Sequence, residues 1–148
     1  RSFVLADVPG LIEGAHQGLG LGHRFLRHLM RTRVLIHLLE VSYDPERSPL
    51  RDYDVLRQEL QRYDAQLAER PQLVTLAKLD LPETREQLPA LRAAFARRGI
   101  KLWAISAATG EGVAELMNEA FRQVTAARQQ DVEAGPPTAQ PASTTGQL

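Results

Sequence analysis

Three short polar segments carry side chains that could do chemistry together. The first is Asp7-Val8-Pro9-Gly10, which closes the apolar run Phe3-Val4-Leu5-Ala6. A carboxylate at the end of a buried strand can reach a magnesium ion through water. A glycine beside it lets a backbone N–H approach a phosphate closely. Asp-x-x-Gly alone is common, and a loop aspartate is ordinarily a solvated turn former. The next stretch adds weight: Gly10, Gly14, Gly18, Gly20 and Gly22 put five of the chain's 10 glycines into 13 residues. Such backbone freedom fits a loop that changes shape with a bound ligand, the plainer alternative being a flexible surface loop. The second segment is Ala77-Lys78-Leu79-Asp80, at the end of the run Leu73 to Ala77. The third is Ser106-Ala107-Ala108, at the end of the run Leu102 to Ile105. A lone Lys-x-Asp is normally a surface pair. Three polar loops at the carboxyl ends of three strands instead converge on one sheet edge, where open α/β sheets bind ligands.

Those loops need a frame. Four apolar runs, Phe3 to Ala6, Val34 to Val41, Leu73 to Ala77 and Leu102 to Ile105, lack strict alternation, as strands covered on both faces do. Helical period lies between them. Tyr53, Leu56, Leu60, Tyr63 and Leu67 step 3, 4, 3, 4, one stripe on one helix. Leu88, Leu91 and Phe95 form a second stripe, and Val113, Leu116, Ala120 and Val124 a third. Strand–helix alternation predicts a parallel sheet with helices on its faces. Gly99 reads as a helix stop, Thr109 as the cap of the last helix, and Pro82 as a first-turn residue.

Composition excludes several classes. The chain has 148 residues, 43% hydrophobic and 24% charged, which suits one domain with a sizeable core. It has no cysteine, so disulfide scaffolds, thiolate zinc sites and cysteine nucleophiles are ruled out. Eighteen basic and 18 acidic residues cancel, so no global charge points to nucleic acid. The longest apolar run, Val34 to Leu39, includes His37 and is far short of the roughly 20 residues a membrane helix needs. No stretch reads as a signal peptide, and a cytoplasmic location is expected. From Gln129 onward Pro136, Pro137 and Pro141 mix with small polar residues. Residues 129–148 therefore read as a disordered tail or linker, and residues 1 to about 128 as the ordered part.

With these residues in view, the chain resembles a P-loop GTPase followed from its second switch onward, and more narrowly the Obg/CgtA group of ribosome-associated GTPases. The resemblance rests on Asp7 to Ala15, on Gly18-Leu19-Gly20-Leu21-Gly22-His23, on Phe25-Leu26-Arg27-His28 and on Arg31-Thr32-Arg33. Arg51-Asp52-Tyr53, Glu59-Leu60, Tyr63 and Glu69-Arg70-Pro71-Gln72 extend it to about residue 128. It implies an α/β fold, an incomplete doubly wound parallel sheet of the P-loop GTPase type. It also implies a nucleotide site of Asp7, Val8, Pro9, Gly10, Ala77, Lys78, Leu79, Asp80, Ser106, Ala107 and Ala108. In that site Asp7 would hold Mg2+ through water and the Gly10 N–H would face the γ-phosphate. Lys78 would lie along the guanine plane, and Asp80 would accept from the base's N1–H and exocyclic amine. Backbone N–H groups of Ser106, Ala107 and Ala108 would approach the guanine O6. The implied protein is a cytoplasmic monomer that binds GTP and GDP, hydrolyses GTP slowly, and acts in assembly of the large ribosomal subunit in contact with rRNA.

The chain also departs from that pattern. Leu11 stands where many GTPases place a water-orienting glutamine, so no catalytic residue is assigned. His16 and His23 lie in the switch and are candidates, with His23 reading rather as a helix-start residue and His28 and His37 as helical or strand core. Ala77 stands where the guanine motif begins with asparagine, a loss of one or two hydrogen bonds of roughly 0.5–1.5 kcal/mol each. No Gly-x-x-x-x-Gly-Lys-Ser/Thr occurs in the sequence, and the first-switch threonine and first strands are missing too. The expectation is a fragment of a longer GTPase, inactive and poorly stable by itself. Two other readings compete: a non-enzymatic partner-binding module that has lost nucleotide chemistry, and an unrelated doubly wound domain for another phosphorylated ligand. Arg24, Arg27, Arg31 and Arg33 could touch RNA phosphates or simply form a solvated helix face.

Overall fold

The structure is a computed structural model that describes residues 31–135. The expected strand at Phe3 to Ala6, the segment Asp7 to Gly10, the glycine-rich loop with His16, His23 and His28, and Arg24 and Arg27 lie outside the described residues. Seven elements follow one another. They are β1 (Leu35–Leu39), α1 (Pro49–Tyr63), α2 (Ala65–Ala68), β2 (Gln72–Leu76), α3 (Pro82–Ala96), β3 (Leu102–Ala104) and α4 (Val113–Ala134). The strands form a parallel sheet in the order β1-β2-β3. Leu39 pairs with Leu76, and Leu76 with Ala104, so all three strands end at one level. Each parallel pairing needs a crossover, and the helices supply it.

Side-chain alternation divides the sheet into two buried faces. Leu39, Val74, Leu76, Leu102 and Ala104 point to one face and pack with Leu88 and Phe95 of α3 and with Tyr53 and Leu56 of α1. Leu73, Val34, Ile36 and Trp103 point to the other and pack with Leu116, Ala120 and Met117 of α4. Burial on both sides explains why the strand sequences lack alternation. Leu38, on the α4 side of β1, is 58% exposed.

Three local expectations need correction. The stripe from Tyr53 to Leu67 belongs to two helices rather than one. Asp64 takes an extended backbone (φ −161°) at the end of α1. Its carboxylate accepts from the amides of Gln66 (2.8 Å) and Leu67 (3.1 Å), which caps α2. The break leaves Leu60 and Leu67 in one cluster with Ala68, so the core survives the interruption. Thr109 is not the cap of the last helix: Gly112 holds that position at φ +75° with no side-chain cap. Finally, α4 continues to Ala134, six residues past the expected boundary at 128. Gln129, Gln130 and Glu133 are good helix formers, and Gly135 at φ +68° ends the run. The remainder of the expected disordered tail lies outside the described residues. Pro82 opens α3 and Gly99 follows its end at φ +73°, as the sequence predicts.

One core residue carries a pH dependence. His37 in β1 is buried, lies 5.9 Å from the Tyr53 ring, and its Nδ1 has no hydrogen-bond partner among the described residues. Burial, reinforced by the Arg57 guanidinium, lowers its pKa from 6.5 to about 4. Between those values the unfolded chain binds a proton that the folded chain excludes. The stabilisation from neutral His37 is therefore complete above about pH 6.5 and declines as pH falls toward 4, by up to about 3 kcal/mol. Urea midpoints between pH 7 and 4.5 should fall less steeply in His37→Leu than in the parent. Equal slopes would mean that His37 is not the titrating group.

Candidate functional site

The site begins where β2 and β3 end. After Leu76 the chain leaves the sheet through Ala77, whose N–H donates to the Leu39 carbonyl at 2.8 Å. Lys78 then turns at φ +61°, a left-handed value rare for a side chain of this size. That turn drives Leu79 inward, where it is buried in the core with Leu76 and Leu88. The Leu79 N–H donates to the Ile105 carbonyl at 2.9 Å, which ties the Lys78–Asp80 segment to the exit of β3. Asp80 is left exposed at the start of α3.

Ser106 joins the two loops. It is fully buried, and its hydroxyl donates to Asp80 Oδ1 at 2.9 Å. The same Oγ accepts from the Thr109 N–H at 3.1 Å. A carboxylate has about four lone-pair positions, so Asp80 keeps room for two further donors while Ser106 sets its angle. The Ser106 N–H is already committed to the Glu111 carbonyl at 2.9 Å. The amide expected to face a ligand is thus engaged within the chain, and the hydroxyl is the group of Ser106 that meets Asp80. Ala107 and Ala108 are exposed, and no hydrogen bond among the described residues uses their amides. Those two remain free to meet a ligand acceptor.

Several residues that hold this geometry were not evident in the sequence. Arg85 of α3 grips Glu111 with two contacts, 2.6 Å and 3.3 Å, and so bridges the Asp80 segment to the turn after Ser106. The hydrogen bond from Arg85 holds the Glu111 carboxyl below the usual range, and Glu111 in turn raises the Arg85 guanidinium. Thr109 Oγ1 accepts from the Glu111 N–H at 3.2 Å. Glu40, just past β1, lies 3.1 Å from Lys78 Nζ. Only the Gly110–Gly112 spacing announces the turn; the ion pairs join residues too far apart in sequence to be read from it.

The arrangement can present a fixed carboxylate, an ammonium and two free amides along one sheet edge. Such a set suits a flat heterocycle with two donors beside an acceptor. Among the described residues no group of three or more His, Asp or Glu could hold a metal ion. The expected magnesium contact, Asp7, lies outside them, as do Val8, Pro9 and Gly10. Of the arginines named for RNA, Arg33 is engaged by Asp131 at 2.9 Å. No helix among the described residues is long and apolar enough to cross a membrane.

Residues 1–78 match the family described as "50S ribosome-binding GTPase". The chain is 54% identical over 121 residues to the GTPase Obg of Symbiobacterium thermophilum, covering 82% of this chain and 28% of that protein. It is 53% identical over 118 residues to the GTPase Obg of Sorangium cellulosum, covering 80% of this chain and 34% of the relative. The GTPase Obg of Syntrophotalea carbinolica is 51% identical over 124 residues, covering 84% and 35%. The chain thus spans about a third of the length of these relatives. The parallel sheet with helices on both faces is that of a P-loop GTPase, and the family pattern takes in more than half of the sequence. The chain belongs to the 50S ribosome-binding GTPase family, in its Obg group.

Proposed function

We propose that this chain is the guanine-recognising part of an Obg-type GTPase, a protein that binds GTP and GDP with magnesium and hydrolyses GTP slowly. The observation that carries this reading is the Asp80 carboxylate, oriented by the buried Ser106 hydroxyl at the carboxyl end of the sheet. A carboxylate matches the adjacent N1–H and amino donors of guanine in a bidentate, charge-assisted contact. The Ala107 and Ala108 amides supply donors for the O6 acceptor, and Lys78 lies against the ring. Adenine presents the opposite donor and acceptor pattern and leaves Asp80 facing an acceptor, an expensive mismatch. Asp7 would hold the magnesium ion through water, and the ion's part would be to neutralise phosphate charge. The phosphate loop belongs to the longer protein, called the intact protein below. Action in large-subunit assembly, through contact with the ribosome, is part of the same proposal. Ribosome contact draws on the family description, and a role in assembly on the resemblance to the Obg/CgtA group.

Titration of the intact protein with GDP and with ADP, each with and without magnesium, tests the reading. Tight magnesium-dependent GDP binding and no ADP binding is the expected result. A second reading, a partner-binding module without nucleotide chemistry, is favoured by Ala77, whose methyl group offers no hydrogen bond. An intact protein blind to GDP would establish that reading instead.

A further inference from the structure

Lys78 has two features that contact with a base does not explain. Among the described residues it is the one non-glycine residue with a left-handed φ, +61°. That conformation costs about 1–2 kcal/mol for an L-residue and persists where the surroundings impose it. Its Nζ also lies 3.1 Å from Glu40 Oε2. Glu40 follows Leu39 directly, and the Leu39 carbonyl accepts from the Ala77 N–H. The two charged residues therefore leave neighbouring strands side by side. No other polar contact of the Lys78 side chain occurs among the described residues. Ala77 can contribute none, where the resemblance leads one to expect an amide.

The side chains of both partners are more than half exposed, 57% and 56%. An exposed ion pair adds little to folding stability. Its effect is on geometry. A lysine stem has many rotamers, and a ligand that uses the ammonium must order all of them. A partner that already restricts the stem reduces that cost before the ligand arrives.

We propose that Glu40 is a positioning residue of the nucleotide site, which holds the Lys78 ammonium in place for the purine ring. The inference rests on the guanine-binding reading above. Lys78 meets the ring plane, which guanine and hypoxanthine share, whereas Asp80 reads the 2-amino group that only guanine has. Loss of Glu40 therefore weakens GDP and IDP by one common factor. Loss of Asp80 changes their ratio.

The experiment measures GDP and IDP dissociation constants and urea midpoints for the intact protein. It compares the parent, Glu40→Gln, Glu40→Asp, Lys78→Ala and the double variant Glu40→Gln/Lys78→Ala. Glu40→Gln should raise both dissociation constants by about 3- to 10-fold, with the GDP/IDP ratio and the midpoint unchanged. Glu40→Asp, which keeps the charge, should retain part of the affinity. Glu40→Gln should have no further effect once Lys78 is alanine. Unchanged or tighter binding in Glu40→Gln, a shifted GDP/IDP ratio, or the same loss in the Lys78→Ala background would each overturn the proposal. Asp80→Asn, measured alongside, separates the two levels. If it abolishes guanine preference while Glu40→Gln matches the parent, the positioning role fails and the guanine site stands. If the parent binds no GDP, both fail.

Discussion

Asp80→Asn in the intact protein should weaken GDP binding by about 100-fold or more and remove most of the preference for GDP over IDP. The change is nearly isosteric, and the Ser106 hydroxyl, 2.9 Å from Oδ1, can still donate to the amide oxygen. What changes is the second atom. An amide nitrogen presents hydrogens to the base where the carboxylate presented lone pairs. One guanine donor then meets a donor, and the other loses a charged acceptor. Hydrogen bonds to charged groups are worth about 1.5–3 kcal/mol each, and two such contacts account for the expected factor. Hypoxanthine lacks the 2-amino group and so loses less. Calorimetric titration of both nucleotides against parent and variant gives the ratio directly. A ratio that survives the substitution would remove the guanine reading and return the site to some other phosphorylated ligand.

Gly112→Ala should cost about 3 kcal/mol of folding stability, far more than the same change at Gly110. Both glycines have left-handed backbones, φ +75° and +84°. An alanine in that region is strained by about 1–2 kcal/mol at either position. The surroundings differ. A Cβ at Gly112 would sit 2.1 Å from the Ala104 carbonyl oxygen and 3.3 Å from its carbon, whereas at Gly110 nothing lies within 4 Å. A Cβ is fixed by its own backbone and has no rotamer to escape into. The start of α4 or the end of β3 must move, and overpacking of that kind adds about 1–3 kcal/mol. Urea midpoints of the two variants provide the comparison. Equal losses would show that conformation alone, and not the approach to β3, requires glycine at 112. Because Ser106 lies two residues beyond Ala104, the displaced turn should also weaken GDP binding in the Gly112 variant.

The sheet was legible in the sequence because each strand is buried on both faces and each run is bounded by a polar exit. Val34 to Val41 and Leu102 to Ile105 contain β1 and β3 with only their ends trimmed, and Leu73 to Ala77 overlaps β2 with an offset of one residue. The placement of Lys78, Asp80 and Ser106 at one edge was legible for the same reason: strand ends in a parallel sheet fall together. The contact of Ser106 with Asp80 was not. Its hydroxyl meets Asp80 only because Leu79 hydrogen-bonds across to Ile105, a contact spanning 26 residues. The break at Asp64 was hidden by apolar spacing that stays in phase across it. Thr109 reads as a cap in the sequence because capping chemistry and turn chemistry use the same hydroxyl; its Oγ1 closes the Glu111 turn instead. Asp7 to Gly10 lie outside the described residues, and the reading of those four remains with the sequence and the family.

The last helix sets where anything attached to this domain must emerge. α4 starts beside the loops that follow β2 and β3 and runs back along the sheet for 22 residues, a rod of about 33 Å. The five-residue strands beneath it are only about 17 Å long. Its final turns therefore overhang the far end of the sheet, where Asp131 is moored to Arg33 and Val132 is 80% exposed. The end of α4 at Gly135 thus lies at the end of the sheet opposite the edge that carries Lys78, Asp80 and Ser106. A fluorophore or tag placed at the end of α4 would therefore stand clear of the sheet edge that carries Lys78, Asp80 and Ser106.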